Sequence, residues 1–237
     1  MRYWEIDFTR GIAVLLMIIY HFIFDLFFPS HTRFYWLAIL TASTFILVSG
    51  VSLSISYSRG SRFKKFAKRG FKLLVLAGII TIISFLLLRQ GYILFGILHF
   101  FSLSSFLIYP FIKCSKSHIT ALLGILIIVL GVVLLSLRVD FGYLIWIGVT
   151  PATFYTFDFF PIFPWFGLLL LGTHIGSRLY PKGKRAFIIN YAGSSSISKI
   201  LQFFGKNSLV IYFMHQPIIL SILYFFGQPE ILSLINL

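Results

Sequence analysis

The sequence has 237 residues, 59% of them hydrophobic and 11% charged, with a mean hydropathy of +0.96 and 29 Phe. Soluble domains run at about 45–50% apolar with about 25% charge, so these values exclude a soluble domain, a disordered chain and a disulfide scaffold and describe an integral membrane protein. The formal charge of +14 would suggest nucleic acid in a soluble chain. In a chain this apolar it follows topology instead, and no nucleic-acid partner is expected. The single cysteine, Cys114, cannot form an intrachain disulfide.

A helix crossing the hydrocarbon core needs about 20 mostly apolar residues. Seven windows meet that demand: Phe8–Phe28, Phe34–Tyr57, Phe71–Leu88, Tyr92–Ile112, Ile119–Leu137, Pro161–Arg178 and Asn207–Phe226. Transmembrane strands would show shorter runs with in/out alternation. The expected fold is therefore all-α, a polytopic bundle of about seven transmembrane helices. The first window carries Asp7, Arg10, His21 and Asp25 and ends without a small-residue cleavage pattern, so it does not read as a signal peptide.

Lys and Arg accumulate in short cytoplasmic loops. The N-terminus, the 58–72 loop, the 113–118 loop and the 178–206 loop together hold 17 of the 20 basic residues, leaving Arg33, Arg89 and Arg138 for the alternate loops. That parity places the N-terminus inside and the C-terminus outside, in a multi-pass protein of the cell membrane. Two connections are more than turns. Residues 138–160 are aromatic, broken by Gly and Pro and too short to cross, which suggests an external interfacial or re-entrant cap; residues 179–199 form a polar linker leading into the amphipathic stretch Ile197–Phe204. Without an internal repeat or a low-complexity segment, 1–237 reads as one domain.

The first helix carries the chemistry. An ionisable group at membrane depth costs about 2.5–3.5 kcal/mol on insertion scales and is a functional candidate by default. At about 100° per residue from Asp7, Arg10 lies near −60°, His21 near −40° and Asp25 near 0°, an arc about 60° wide. This stripe should face the bundle interior, with Arg10 and His21 about 16 Å apart along the axis across an apolar stretch at Val14 and Ile18. Asp25 follows His21 at i,i+4, where it can fix the imidazole tautomer as a general base working near neutral pH requires. A plain interhelical His–Asp lock is the alternative. Asp7–Arg10 reads equally as an anion site or a structural ion pair.

His99, His174, His215, Asn207 and Gln216 supply further polar groups inside the bundle, His215 being the best second candidate because Pro217 and the polar entry at 206–208 share its helix. Ser49, Ser52 and Ser56 beside Gly50 suit close helix packing. The basic run at 59–72 is topogenic or lipid-binding, or receives the phosphates of a nucleotide-like donor. No metal-ligand pattern is present.

The opening MRYWEIDFTRGIAVLLMIIYHFIFDLF resembles the N-terminal helix of the acyltransferase-3 membrane acyltransferases, with Asp7, Arg10 and His21 at the matching positions. The wider body, namely TFILVSGVSLSIS at 44–56, FGILHFF at 95–101, DFFPIFPWFG at 158–167 and GKNSLVIYFMHQP at 205–217, is similar to the prokaryotic proteins grouped with the heparan-α-glucosaminide N-acetyltransferase catalytic domain. The resemblance implies transfer of an acyl group, usually acetyl, from cytoplasmic acyl-CoA through the bundle to a hydroxyl or amine of a sugar or glycoconjugate. On the acyltransferase-3 pattern His21 is the catalytic histidine and Arg10 helps bind CoA. The heparan family instead has Asn where His21 stands and a catalytic His in the first external loop, where His31 is the nearest match. His21, Asp25 and His31 are thus the catalytic candidates, and Asp7, Arg10, His99, Asn207 and His215 the candidates for holding acetyl-CoA or another acyl-CoA. With a shorter helix set than those families, the acceptor site needs fewer helices, a partner or a homo-oligomer. The competing class is a transporter that uses buried His, Asp and Arg as a relay, although neither inverted repeats nor paired broken helices support it.

Overall fold

The computed structural model describes residues 2–27, 34–88, 90–114, 116–190 and 193–226. Among these the chain is all-helical: α1 Trp4–Leu26, α2 Tyr35–Ser58, α3 Phe63–Leu87, α4 Ile97–Cys114, α5 Ser117–Ser136, α6 Ile162–Leu179, α7 Ser196–Lys206 and α8 Ser208–Phe225. Each of the seven expected windows coincides with a helix, and α7 is the expected amphipathic stretch. By length and composition α1, α2, α3, α5 and α8 can cross a membrane; α4 is a shorter apolar helix, and α6 falls outside that set.

The differences lie at the ends. The α3 helix begins at Phe63, ahead of the apolar window, because Lys and Arg are good helix formers and carry the helix on beyond the apolar run. The α4 helix begins at Ile97 and not at Tyr92, because residues 91–96 are tied to the 138–160 connection. Phe157 N–H donates to Gly91 O and Phe160 N–H to Phe95 O, both at 2.9 Å, while Ile97 N–H donates to Asp158 Oδ2 at 3.0 Å. A carboxylate accepting at a helix N-terminus satisfies a free amide and complements the helix dipole. The connection itself contains no crossing helix, only the short 3₁₀ turn Ile145–Ile147.

The described residues of Met1–Val48 and Phe187–Ser233 form one compact unit, and those of Ser49–Ala186 form the second. In the second unit α5 packs on α6 through small residues: a Cβ on Gly124 would stand 2.8 Å from Gly167 O, and one on Gly131 would stand 2.5 Å from Pro164 Cα. Small residues let backbones approach where lipid supplies no hydrophobic drive between helices. The opposite face of α5 is apolar and open, with Leu122 67% and Val132 63% exposed, as a lipid-facing surface requires.

Part of the basic run is structural. Arg69 of α3 donates to Ser105 Oγ of α4 at 2.8 Å and to Ser49 Oγ of α2 at 3.0 Å, and its guanidinium lies 5.8 Å from the centre of the Phe101 ring. Arg59 donates twice to Gly183 O. These two arginines brace the second unit, and Ser49 serves as a hydrogen-bond acceptor as well as a small packing residue.

In the first unit α1 and α7 touch backbone to backbone. A Cβ on Gly11 would lie 1.9 Å from Leu201 O, and one on Gly205 would lie 1.8 Å from Asp7 O. Ser195 caps α7 by accepting from Ser198 N–H at 3.2 Å, and Gln202 Nε2 donates to Gly193 O at 2.8 Å. Gly205→Leu should force α1 and α7 apart and cost about 1–3 kcal/mol, read as a lowered thermal midpoint in detergent, whereas the same change at Gly78, where a Cβ meets nothing within 4 Å, should leave the midpoint within about 0.5 kcal/mol.

Candidate functional site

All four members of the polar stripe lie on α1 in the first unit. At the N-terminal end Asp7 is 4% exposed, and its Oδ1 accepts from Arg10 NH1 at 3.3 Å. Its Oδ2 is buried with no hydrogen-bond partner. Asp7 is thus half-satisfied, and its backbone is clamped against Gly205 of α7.

At the other end α1 meets α8. The His21 ring packs edge-on to the His215 ring, centroids 4.7 Å apart and planes at 60°. Asp25 does not bond His21: its Oδ2 accepts from Gln216 Nε2 at 2.8 Å. The spacing that brings i and i+4 together permitted the expected pair, but a side-chain amide on the facing helix takes the carboxylate instead. His215 is 8% exposed, and its Nδ1 lies 2.6 Å from Tyr212 O. Because a carbonyl can only accept, that nitrogen carries the proton, which leaves the lone pair on Nε2. His215 Nε2 and Gln216 Oε1 are both buried without a partner. Two polar pairs, His21 with His215 and Asp25 with Gln216, therefore join α1 to α8, and the two buried atoms left without a partner, His215 Nε2 and Gln216 Oε1, are both hydrogen-bond acceptors.

Beside them runs an apolar groove of about 380 Å³ between α1 and α8, lined by Ile18, Ile19, Phe22, Ile211, Met214, Ile218, Ile219 and Ile222 together with His215. The apolar passage expected at Val14 and Ile18 is closed at Val14. Val14 is 0% exposed, so no water-sized space adjoins it.

The remaining candidates lie elsewhere. His31 falls outside the described residues. Asn207 Nδ2 donates to Phe203 O at 2.9 Å where α7 gives way to α8. His99 belongs to the second unit with both ring nitrogens engaged: Nδ1 accepts from Gly96 N–H at 3.3 Å, which leaves Nε2 to donate to Thr81 Oγ1 at 3.3 Å, and Thr81 in turn donates to Ile93 O. His174, also in the second unit, borders a hydroxyl-lined cavity of about 160 Å³ with Ser54, Thr120, Thr173 and Ser177. Its Nδ1 lies 2.9 Å from Ser117 O and 2.7 Å from Ser117 Oγ. The sequence reading missed both the Asp25–Gln216 bond and the Ser117–His174 pairing. Each joins residues on different helices, and helical spacing reports only neighbours on the same one. Among the described residues no cluster of three or more His, Cys, Asp or Glu could hold a metal ion.

Apolar helices packed through glycine, with lipid-type surface outside and ionisable groups between helices, define a polytopic α-helical membrane protein. The family model described as heparan-alpha-glucosaminide N-acetyltransferase, catalytic, matches residues 2–217, and the chain belongs to that family of membrane acetyltransferases. No curated protein and no solved structure matches it. The match runs through both compact units.

Gln216→Leu removes the donor from a half-buried carboxylate and should lower stability by about 1.5–3 kcal/mol. Adding Asp25→Leu should recover part of that loss, a positive coupling that a thermal-unfolding double-mutant cycle in detergent will register.

Proposed function

We propose that the chain transfers an acetyl group from cytoplasmic acetyl-CoA to a hydroxyl or amine of a sugar or glycoconjugate, and that the α1–α8 cluster is where the thioester is opened. The observation that carries this reading is the convergence of His21, Asp25, His215 and Gln216 in a chain matched by an acetyltransferase family. The distribution of basic residues supports a cytoplasmic N-terminus in the cell membrane, with Asp7 and Arg10 at the donor's entry. Arg10, with its side chain 22% exposed, is placed to meet the charged end of CoA, while the buried, half-satisfied Asp7 holds it. His21 serves as catalytic base or acyl carrier, and Asp25, held by Gln216, bounds its pocket.

In either role the chemistry is ordinary acyl transfer. As base, His21 takes the acceptor's proton while oxygen or nitrogen attacks the thioester carbonyl, the C–S bond breaks and the thiolate leaves with a proton. As carrier, an imidazole nitrogen attacks first and the acceptor then removes the acetyl group. The low-dielectric wall of the groove excludes water, which would otherwise hydrolyse the thioester or the acyl-imidazole. Because no space adjoins Val14, the pantetheine arm passes the middle of α1 only when the helices part there. The whole chain acts as one catalytic domain, as the run of the family match across both units suggests. A transporter that uses the same groups as a proton relay is the second reading, and the acceptor-rich character of the cluster is what it would share.

In proteoliposomes supplied with labelled acetyl-CoA, His21→Ala should reduce transfer by at least about 10²-fold with expression and thermal midpoint retained. Retained activity in that variant together with loss in His31→Ala would hand the base to the loop. Failure of labelled acetyl-CoA to bind at millimolar concentration would favour the transporter.

A further inference from the structure

The His215 imidazole has a fixed proton and an unused lone pair. Its Nδ1–H is committed to Tyr212 O at 2.6 Å, its Nε2 is buried with no partner, and the ring it faces at 4.7 Å is His21. The other groups around it do not claim that lone pair: the Gln216 amide donates to Asp25, and the aromatic neighbours are Tyr212, itself the backbone partner, and His21. A buried acceptor without a donor is costly. A half-turn of the His21 ring about its Cβ–Cγ bond leaves its centroid in place and exchanges its nitrogen and carbon edges, so the same packing presents an N–H to the waiting Nε2.

We propose that His21 and His215 act as a pair in which His215 Nε2 takes up the proton that His21 gives up; the inference rests on the acetyltransferase reading above. In the carrier route one His21 nitrogen attacks the acetyl carbonyl as the proton on its other nitrogen passes to His215. The C–N bond forms, the C–S bond breaks, and the His215 imidazolium returns its proton to the departing thiolate, leaving a neutral acetyl-imidazole and free CoA thiol. In the base route His21 takes the acceptor's proton at one nitrogen and releases its other proton to His215, and the thiolate again recovers that proton. Asp25 is given no part in this transfer: its Oδ2 accepts from Gln216, and the proton passes between the two imidazoles. His215 therefore acts on both sides of the exchange, accepting the proton from His21 and delivering it to the leaving thiolate.

The test uses the full chain in proteoliposomes, following CoA thiol release from acetyl-CoA with glucosamine as the acceptor probe. His215→Asn keeps an amide N–H for Tyr212 O but has no basic nitrogen. It should lower kcat at least about 10²-fold with KM for acetyl-CoA within about threefold of wild type, since it removes the proton acceptor and not the groups proposed to meet the donor's charged end. In His215→Ala, added imidazoles should restore turnover, and the restored rate should rise with the basicity of the imidazole, which mere filling of space would not produce. In ¹⁵N-histidine spectra the signals lost on substituting His215 should be those of a ring protonated at Nδ1 and bare at Nε2. An unchanged kcat in His215→Asn, or a His215 ring protonated at Nε2, overturns the pairing while leaving the acetyltransferase reading in place. A wild-type chain that releases no CoA thiol overturns both.

Discussion

A charge or imidazole at the depth of acyl chains has no water to turn to, and it must be satisfied by another part of the protein. That requirement organises the first unit. Asp7 is answered by Arg10 three residues on, but only at one oxygen. Asp25 is answered by Gln216 on α8, which fixes how α8 lies against α1 at that level. His215 is answered by Tyr212 O at one nitrogen, and its ring packs against that of His21. The second unit obeys the same rule with different residues: Arg69 is satisfied by serines from two other helices, and His99 and His174 by hydroxyls and backbone groups. What separates the cluster on α1 and α8 from these is that its accounts are left open. His215 Nε2 and Gln216 Oε1 have no partner, whereas both His99 nitrogens do.

Glycine sets the distances at which this happens. Gly11 and Gly205 bring α1 and α7 into backbone contact beside Asp7, and Gly124, Gly131 and Gly167 do the same for α5 and α6. Close approach of backbones maximises dispersion contact where burial of apolar surface from lipid gains little. The helices of each unit are thus held by fit and by polar pairing, while their outer faces remain as apolar as the surrounding chains.

The fold was readable because the membrane's thickness imposes a length that sequence displays directly. Every apolar window became a helix. Helix ends were less readable: α3 continues into lysines and arginines that hydropathy assigns to a loop, and α4 starts late because Asp158, sixty residues on, holds its N-terminus. The candidate site was legible as far as one helix can show it. The angular stripe on α1 placed Asp7, Arg10, His21 and Asp25 together, and the placement of Asp7, His21 and Asp25 against α7 and α8 agrees with it. Which facing residue answers each of them is a tertiary matter, so the i,i+4 reading of His21 and Asp25 gave way to Gln216, and the open passage at Val14 gave way to packed side chains. The resemblance of the wider body, GKNSLVIYFMHQP included, to the heparan-α-glucosaminide N-acetyltransferase catalytic domain was sound, since that family's match runs over 2–217.

The glycine contact of α1 with α7 sits at the same end of α1 as Asp7, with Gly11 about 15 Å along the axis from the histidine pair. A helix interlocked with its neighbour at one end behaves as a lever hinged there. A tilt about Gly11 would move His21, ten residues on, further than it moves the residues beside the contact. How α1 meets α7 beside Asp7 is in this way linked to the spacing of the two imidazoles at the far end of the same helix.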